Sequence, residues 1–577
     1  MTSPPENAVP SVPERIRALW KKQRELMALP PERALAEIFD ERQPLPLVHS
    51  FPEEDFYLLV HEIGPEDALE LLGLASDRQW EFILDAEAWD RDRIDAEALT
   101  RWMNRLMQAD PDRFVGWVSR EKSDLLELYL YRNVDIALRE EDQAPTDFPE
   151  DYFSDDETFY LRLRPAPLSA EPDDGPDPEA ETEAEHREIR DDFLRDFLKR
   201  LSADDHVRYQ NILLESAGVL PAEMEEALYR LRNVRRAERG FAPFEEAVGL
   251  YQPLSAEALA TRSAKTLRPG DGPAAATPAT LLPADDPLAR TLAVPDLSDV
   301  VESLQSEFAG LCNHLIVADR LQVRDRETLK AVARKASGYV AIGIERTTGS
   351  RHPARAAGMV RRHGLMDLFR VGYGQAAALR RRAARWRSES WAERRGLPPT
   401  FWGEEWFGVL GGLWLSRPMF HDKRRAGERY RDFRSMDDIR ETDAALDRIV
   451  AADRLLDLAE LPIPADPERW IFWGTALLTF WARRRLGLSR EWAPVPVSTF
   501  RPFFDGLWEN PESPRLSETA REDLIHWLAG ETGLTVEELA ERVPSVPEDL
   551  IAFLEAELGR VEGADLDPRF VVPFLLS

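Results

Sequence analysis

The feature that most restricts what this chain can fold into is punctuation: between residues 51 and 118, helix-stopping and helix-starting residues alternate at short intervals, bracketing one apolar stripe after another. Phe56, Leu59, Val60 and Ile63 fall at i, i+3, i+4 and i+7, which is one face of a 3.6-residue helix. Gly64 tolerates a left-handed C-terminal position and Pro65 suits a first turn, so the pair closes that helix and opens the next, expected over residues 66–72. Ser76 and Gln79 have capping-box spacing and start a third helix with Trp80, Ile83 and Leu84 inward. Leu99, Trp102, Met103 and Leu106 repeat the stripe. Asp110 and Pro111 then open a helix bearing Phe114, Trp117 and Val118. Helices this short bury little apolar area singly, so the array must stack to fold.

The same grammar recurs along the chain, and the fold class it predicts is mainly α: short stacked helices forming a superhelical array, followed by a larger Trp-rich helical domain. Residues 1–45 read as an N-terminal extension with a first helix carrying Ile16, Leu19 and Trp20. Residues 46–164 are the array, extended by a helix from about 123 to 138. Residues 165–192 place 11 acidic side chains against Arg187 and Arg190, the pattern of a self-repelling linker. A second helical block, 193–258, opens on Phe193, Phe197 and Leu201 with Ser202 capping its next helix. An Ala/Pro-rich linker, 259–289, precedes the C-terminal helical domain, 290–577. Capping-box spacing returns at Thr535/Glu538 and Ser545/Glu548. Extended segments are expected only at 338–344 and 570–576.

Charge and cysteine usage narrow the function classes. A formal charge of -32 makes nucleic acid an unlikely partner, since a duplex repels such a chain unless one region concentrates the opposite sign. One Cys excludes an intramolecular disulfide and a Cys-built zinc site, and the nine His form no HExxH or i, i+4 pair, so no metal and no cofactor are expected. The first residues lack a basic start and an apolar core, which makes the cytoplasm the expected location. The longest apolar run, 470–482, has 13 residues before Arg483, against roughly 20 for a bilayer, and reads as a buried core helix without membrane insertion.

Residues 58–85, LLVHEIGPEDALELLGLASDRQWEFILD, resemble the superhelical array in the intracellular N-terminal domain of bacterial magnesium transporters, and more loosely that of flagellar motor-switch proteins. The shared elements are a hydrophobic helix, a Pro-Glu-Asp start, a Leu-rich helix and another cap. With its acidic first half and Trp-rich second half, the whole chain resembles an uncharacterised bacterial family of long helical proteins known only as a domain of unknown function. Neither resemblance implies an activity.

Several constellations could carry chemistry. Cys312 and His314, two apart on one helix, point about 200° around its axis from each other and read as structural. His352 and His363 are separated by a helix break at Pro353. Gly372 and Gly374 read as turn glycines rather than a phosphate loop, because no third glycine and no preceding strand accompany them. Trp402, Glu404, Glu405 and Trp406 set two carboxylates beside aromatics and mark a candidate C-terminal pocket. Arg380, Arg381, Arg382, Arg385 and Arg387, with Trp386 and Trp391, form a basic run that could hold an acidic partner or single-stranded nucleic acid; an acidic mate within the molecule is the favoured reading.

The sequence therefore leaves the function unknown and favours a helical scaffold or adaptor with a protein partner over an enzyme. The alternatives are an enzyme or small-ligand binder with its pocket in the C-terminal domain, and a nucleic-acid binder acting through residues 379–395. Oligomeric state is not encoded in any of these features.

Overall fold

The computed structural model describes residues 12–165, 180–265, 278–424, 427, 429–465, 471–510 and 514–577. The Pro-rich start and the centres of both expected linkers, 166–179 and 266–277, lie outside the described residues. The fold is mainly α: helices dominate, and the described strands form three two-stranded antiparallel sheets. The chain divides into two compact units, 1–250 with 266–336, and 251–265 with 337–577.

In the first unit the array forms where the punctuation places it. Phe56, Leu59 and Val60 of the Glu53–Ile63 helix are buried, and Trp80, Ile83, Trp102, Met103, Phe114 and Val118 join them in one core. Ser76 and Gln79 make the capping box, with Ser76 N donating to Gln79 Oε1 at 2.8 Å and Gln79 N to Ser76 Oγ at 3.3 Å. Asp110 caps the Pro111–Glu121 helix through Arg113 N. The core continues without a break into Phe193, Phe197, Leu201, Tyr209 and Leu213, because stacked short helices keep exposing an apolar face for the next to cover.

Three local expectations in this unit differ from the structure. The stretch read as acidic linker turns helical at the start of Ala180–Asp204, since Ala and Glu are strong helix formers and its Arg190 side chain is buried, donating to the Arg164 carbonyl at 2.6 Å. The cap of the next helix is Asp205, which accepts from Arg208 N, and Ser202 lies inside the preceding helix. The helix expected through 138 ends at Asn133, and Val134–Leu138 instead pairs antiparallel with Phe159–Leu163. A partner strand 25 residues away in sequence, Val134 opposite Leu163 to Leu138 opposite Phe159, satisfies the backbone that local periodicity assigned to a helix.

In the second unit the segment 338–344, expected to be extended, lies within the Arg326–Thr348 helix. Gly372 and Gly374, expected in a turn, lie within Leu365–Glu389. The two departures have one cause. A Cβ on Gly343 would collide with the Leu368 carbonyl, and a Cβ on Gly372 with the Tyr339 carbonyl, so these helices cross at backbone contact and only glycine fits. The apolar run is the Trp473–Arg485 helix, buried from Trp473 to Arg483. Thr535 and Glu538 form their capping box; Ser545 precedes its helix without a side-chain cap. The segment 570–576 contributes one parallel bridge, Leu576 to Val495, and no ladder.

Candidate functional site: a charged cavity in the first unit

Four helices of the first unit present a second face besides the one that builds the core. On Glu53–Ile63 the core stripe is Phe56, Leu59 and Val60, while Glu54, Tyr57 and Leu58, at i, i+3 and i+4, face a cavity of about 540 Å³. Asp77–Glu87 contributes Phe82, Asp85 and Ala86 at the same spacing. Val301–Asp319 contributes Ser306, Ala309, Gly310, Asn313 and Ile316. Most of that third stripe is small, and a Cβ on Gly310 would meet nothing within 4 Å, which is why space remains there.

The fourth wall is the C-terminal end of Pro221–Glu238. Gly240, with φ +82°, lets the chain reverse, so that Phe241 N reaches the Arg236 carbonyl at 2.9 Å and Gly240 N the Ala237 carbonyl at 3.0 Å, a Schellman motif. The reversal lays the Phe241 ring under the Arg236 guanidinium at 5.0 Å. It also places Arg239 beside Glu53 and Glu81, at 3.8 and 3.9 Å, both beyond hydrogen-bond distance. Arg239 Nη1 is buried with no hydrogen-bond partner. Arg236 makes no ion pair among the described residues.

Burial acts on two charges at this wall, Glu54 and Arg236. Burial pushes the Glu54 carboxyl up to about 7, with the Glu53 and Asp55 carboxylates adding to the rise against its own backbone N–H and Arg239. Burial likewise lowers the Arg236 guanidinium against the pull of Asp85, although a guanidinium stays charged at physiological pH. Asp55 is engaged by Gln23 Nε2 at 3.1 Å, and Asp85 by Arg235 at 2.7 and 2.8 Å.

Beneath Tyr57 lies a polar cluster of the opposite character. The Tyr57 hydroxyl donates to Glu87 Oε1, Arg324 holds both oxygens at 3.1 and 2.7 Å, and Trp102 Nε1 donates to Oε2 at 3.3 Å. His61 Nε2 sits 3.3 Å from Oε1, poorly aligned for a hydrogen bond. Burial raises the Glu87 carboxyl, but His61, Arg324 and Tyr57 overcome it and hold the group at about 2. Glu87 is satisfied and locks the wall of the cavity, whereas Arg239 Nη1 is buried without a hydrogen-bond partner.

The model of a family described as "Family of unknown function (DUF6178)" matches residues 14–577. The chain belongs to that family. No curated protein and no solved structure matches it. For this DUF6178 member the chemistry is therefore read from geometry alone.

Apart from Cys312 and His314, the residues singled out from sequence lie in the second unit. Arg382 donates to Asp443 at 2.5 Å and to Asp447, Arg387 to Glu393 at 2.7 Å, and Arg380, Arg381 and Arg385 are exposed. Trp386 and Trp391 are buried, and Trp386 Nε1 donates to Asp453, so neither indole offers a face for stacking. Trp402 and Trp406 are buried in a ring cluster with Trp386 and Trp473, whereas Glu404 and Glu405 turn outward to Arg429 and Lys423. Of these four, the two indoles face the interior and the two carboxylates face solvent. A cavity of about 490 Å³ does occur in this unit, lined by Arg483, Arg490, His526, Trp527 and Glu531 among others. Cys312 is buried, and burial pushes its thiol well above the ordinary range; His314 Nδ1 bonds the Gly310 carbonyl, so the two act separately. His352 caps the Pro353–Arg362 helix, and His363 follows its last residue. Among the described residues no group of three or more His, Cys, Asp or Glu side chains is arranged to hold a metal, and no helix is long and apolar enough to cross a membrane.

Sequence reasoning missed Glu54, Arg236 and Arg239. A signal existed: residues 230–239 carry five Arg inside the acidic half of the chain, followed by Gly240 at a helix end. The second stripe, Glu54-Tyr57-Leu58, was hidden by the stronger core stripe interleaved with it.

Proposed function

We propose that the first unit binds a small organic ligand in the cavity between Glu53–Ile63, Asp77–Glu87, Pro221–Glu238 and Val301–Asp319. The observation that carries this reading is Arg239 Nη1, buried without a hydrogen-bond partner on the lining of the cavity, beside Arg236, which makes no ion pair among the described residues. Buried donors left unmade cost free energy, and a mostly apolar space of this size with a few convergent polar groups is what small-molecule sites look like. The test uses 1-aminoanthracene, a neutral fluorescent probe, with the full chain. Saturable enhancement is expected, lost in Ala309→Phe and retained in Gly530→Phe of the second unit. Should Ala309→Phe fail to fold, Ser306→Trp at the exposed mouth gives the same readout. Enhancement that survives these substitutions overturns the proposal.

The scaffold reading has an observation of its own. Val207, Leu214, Leu220, Leu231 and Val234, on or between the consecutive helices His206–Ala217 and Pro221–Glu238, are each at least half exposed, apolar side chains that suit a protein partner. A photoreactive residue at 231 should then yield one discrete crosslinked product in the cells of origin, lost with Val234→Glu; absence of that product excludes this face as the docking surface.

A further inference from the structure

We propose that the ligand of this cavity is an amphipathic monoanion, an aliphatic carboxylate whose head is held by Arg236 and Arg239 and whose chain lies on Phe82, Phe241 and Ile316. The inference rests on the ligand-binding reading above and deepens it.

The head group follows from the unspent donors. Arg236 spends its charge on the face of Phe241, 5.0 Å away, and Arg239 keeps Nη1 buried and unbonded, so two guanidiniums have N–H groups available to an acceptor that the protein does not supply. Planar guanidinium forks match a carboxylate in geometry and charge. The cavity also limits how negative the head can be. Glu54 stands on the same lining with Asp55 and Asp85, so a dianion such as phosphate meets about twice the repulsion that a monoanion meets. With its proton on, Glu54 donates to the bound carboxylate rather than repelling it. Burial holds that proton up to about 7, and a bound anion raises the site's hold on it further, so binding takes up a proton.

The body follows from the remaining wall. The Phe82 and Phe241 rings pack tilted at 48° to each other with 6.5 Å between centroids, and Ile316 comes from the Val301–Asp319 helix. The Arg236 and Arg239 guanidiniums lie over the Phe241 and Phe82 rings, at 5.0 and 5.4 Å, so the apolar wall directly adjoins the charged end, which suits an amphipathic ligand. The mouth, at exposed Ser306, Glu238 and Gln322, gives entry from solvent.

Decanoate, decanol and inorganic phosphate, titrated against the full chain preloaded with 1-aminoanthracene, separate the parts of the claim. Decanoate should displace the probe at least about tenfold more tightly than decanol, and phosphate should not displace it. Arg236→Gln and, separately, Arg239→Gln should weaken decanoate about tenfold or more while leaving decanol unchanged, and Arg236→Lys should recover part of the loss. Decanoate affinity should fall between pH 6 and pH 8, and Glu54→Gln should remove most of that fall. Probe binding with decanol equal to decanoate, or arginine variants that leave decanoate affinity intact, overturns the anion claim while the cavity stands. Loss of probe binding altogether overturns the ligand-binding reading itself, a result distinct from either.

Discussion

One cavity in each unit, of about 540 and 490 Å³, is lined by arginine, and the two differ in how that arginine is bonded. In the second unit Arg483 is buried, but its guanidinium donates to the Ser489 and Ala493 carbonyls at 3.0 Å, the Pro494 carbonyl at 3.3 Å and Ser489 Oγ at 3.1 Å. Arg490 is bonded to Glu531 and to the Ala459 carbonyl. Trp527 Nε1 is left without a partner there, a neutral donor on a largely apolar ring. In the first unit Arg239 Nη1 is buried without a hydrogen-bond partner, and Arg236 makes no ion pair among the described residues. The difference teaches that a cavity lined by arginine is not by that fact a site: in one the charge closes loops of its own chain, in the other it waits for an acceptor.

The largest expected effect tests the structural arginine. Arg483→Ala should destabilise the second unit by about 3–5 kcal/mol, because several buried carbonyls lose a charged donor at once, whereas Arg236→Ala should cost the first unit about 1 kcal/mol or less. Denaturant unfolding followed by circular dichroism measures both. Equal losses would break the contrast.

Next comes Glu87, the satisfied neighbour of the unsatisfied pair. Glu87→Ala should cost about 3 kcal/mol near neutral pH by stranding Arg324, Tyr57 and Trp102. Its pH dependence has a definite sign: a carboxyl held at about 2 from an ordinary 4.5 stabilises fully above 4.5 and loses that contribution as the pH falls towards 2. The gap between wild type and variant should therefore narrow in acid, which unfolding curves at pH 7 and pH 3 will show.

Glu54 should behave in the opposite sense. Its folded value of about 7 lies above the ordinary 4.5, so the native state binds the extra proton and stability falls as the pH rises from 4.5 through 7. Glu54→Gln should leave the midpoint unchanged at pH 4 and raise stability at pH 8 by about 1–2 kcal/mol, a figure reduced for the solvent that reaches this half-buried group. A variant that is equally stabilised at both pH values would place the cause elsewhere.

The smallest effect concerns space. Gly310→Ala adds a methyl where nothing lies within 4 Å and should stabilise the Val301–Asp319 helix by about 0.5–1 kcal/mol. Gly372→Ala should destabilise by more than that gain, since its Cβ has backbone to displace. Thermal melts of the two variants sharpen the distinction between an empty position and a crossing point.

The array from residues 51 to 118 was legible because its signals are local. Phe56 and Leu59 repeat at the helical period, and Ser76 meets Gln79 three residues away, so neither needs a distant partner to declare itself. Glycine was misread for the converse reason. Its sequence signature is the same at Gly64, which ends a helix, and at Gly372, where two helices touch, and only the Tyr339 carbonyl on the second helix distinguishes them.

What the sequence by itself determined is therefore the fold class, the membership of stripes in a core, and several of the caps, all governed by interactions within a turn or two of helix. Tertiary structure alone decided that 134–138 pairs as a strand, that 338–344 is helical, and which arginines find acceptors. Arg235 meets Asp85, 150 positions away, while Arg236, its neighbour in sequence, points into the cavity and meets none. Charge satisfaction depends on the direction of a side chain relative to a distant element, and successive residues on a helix diverge by about 100°, so no local pattern carries that information.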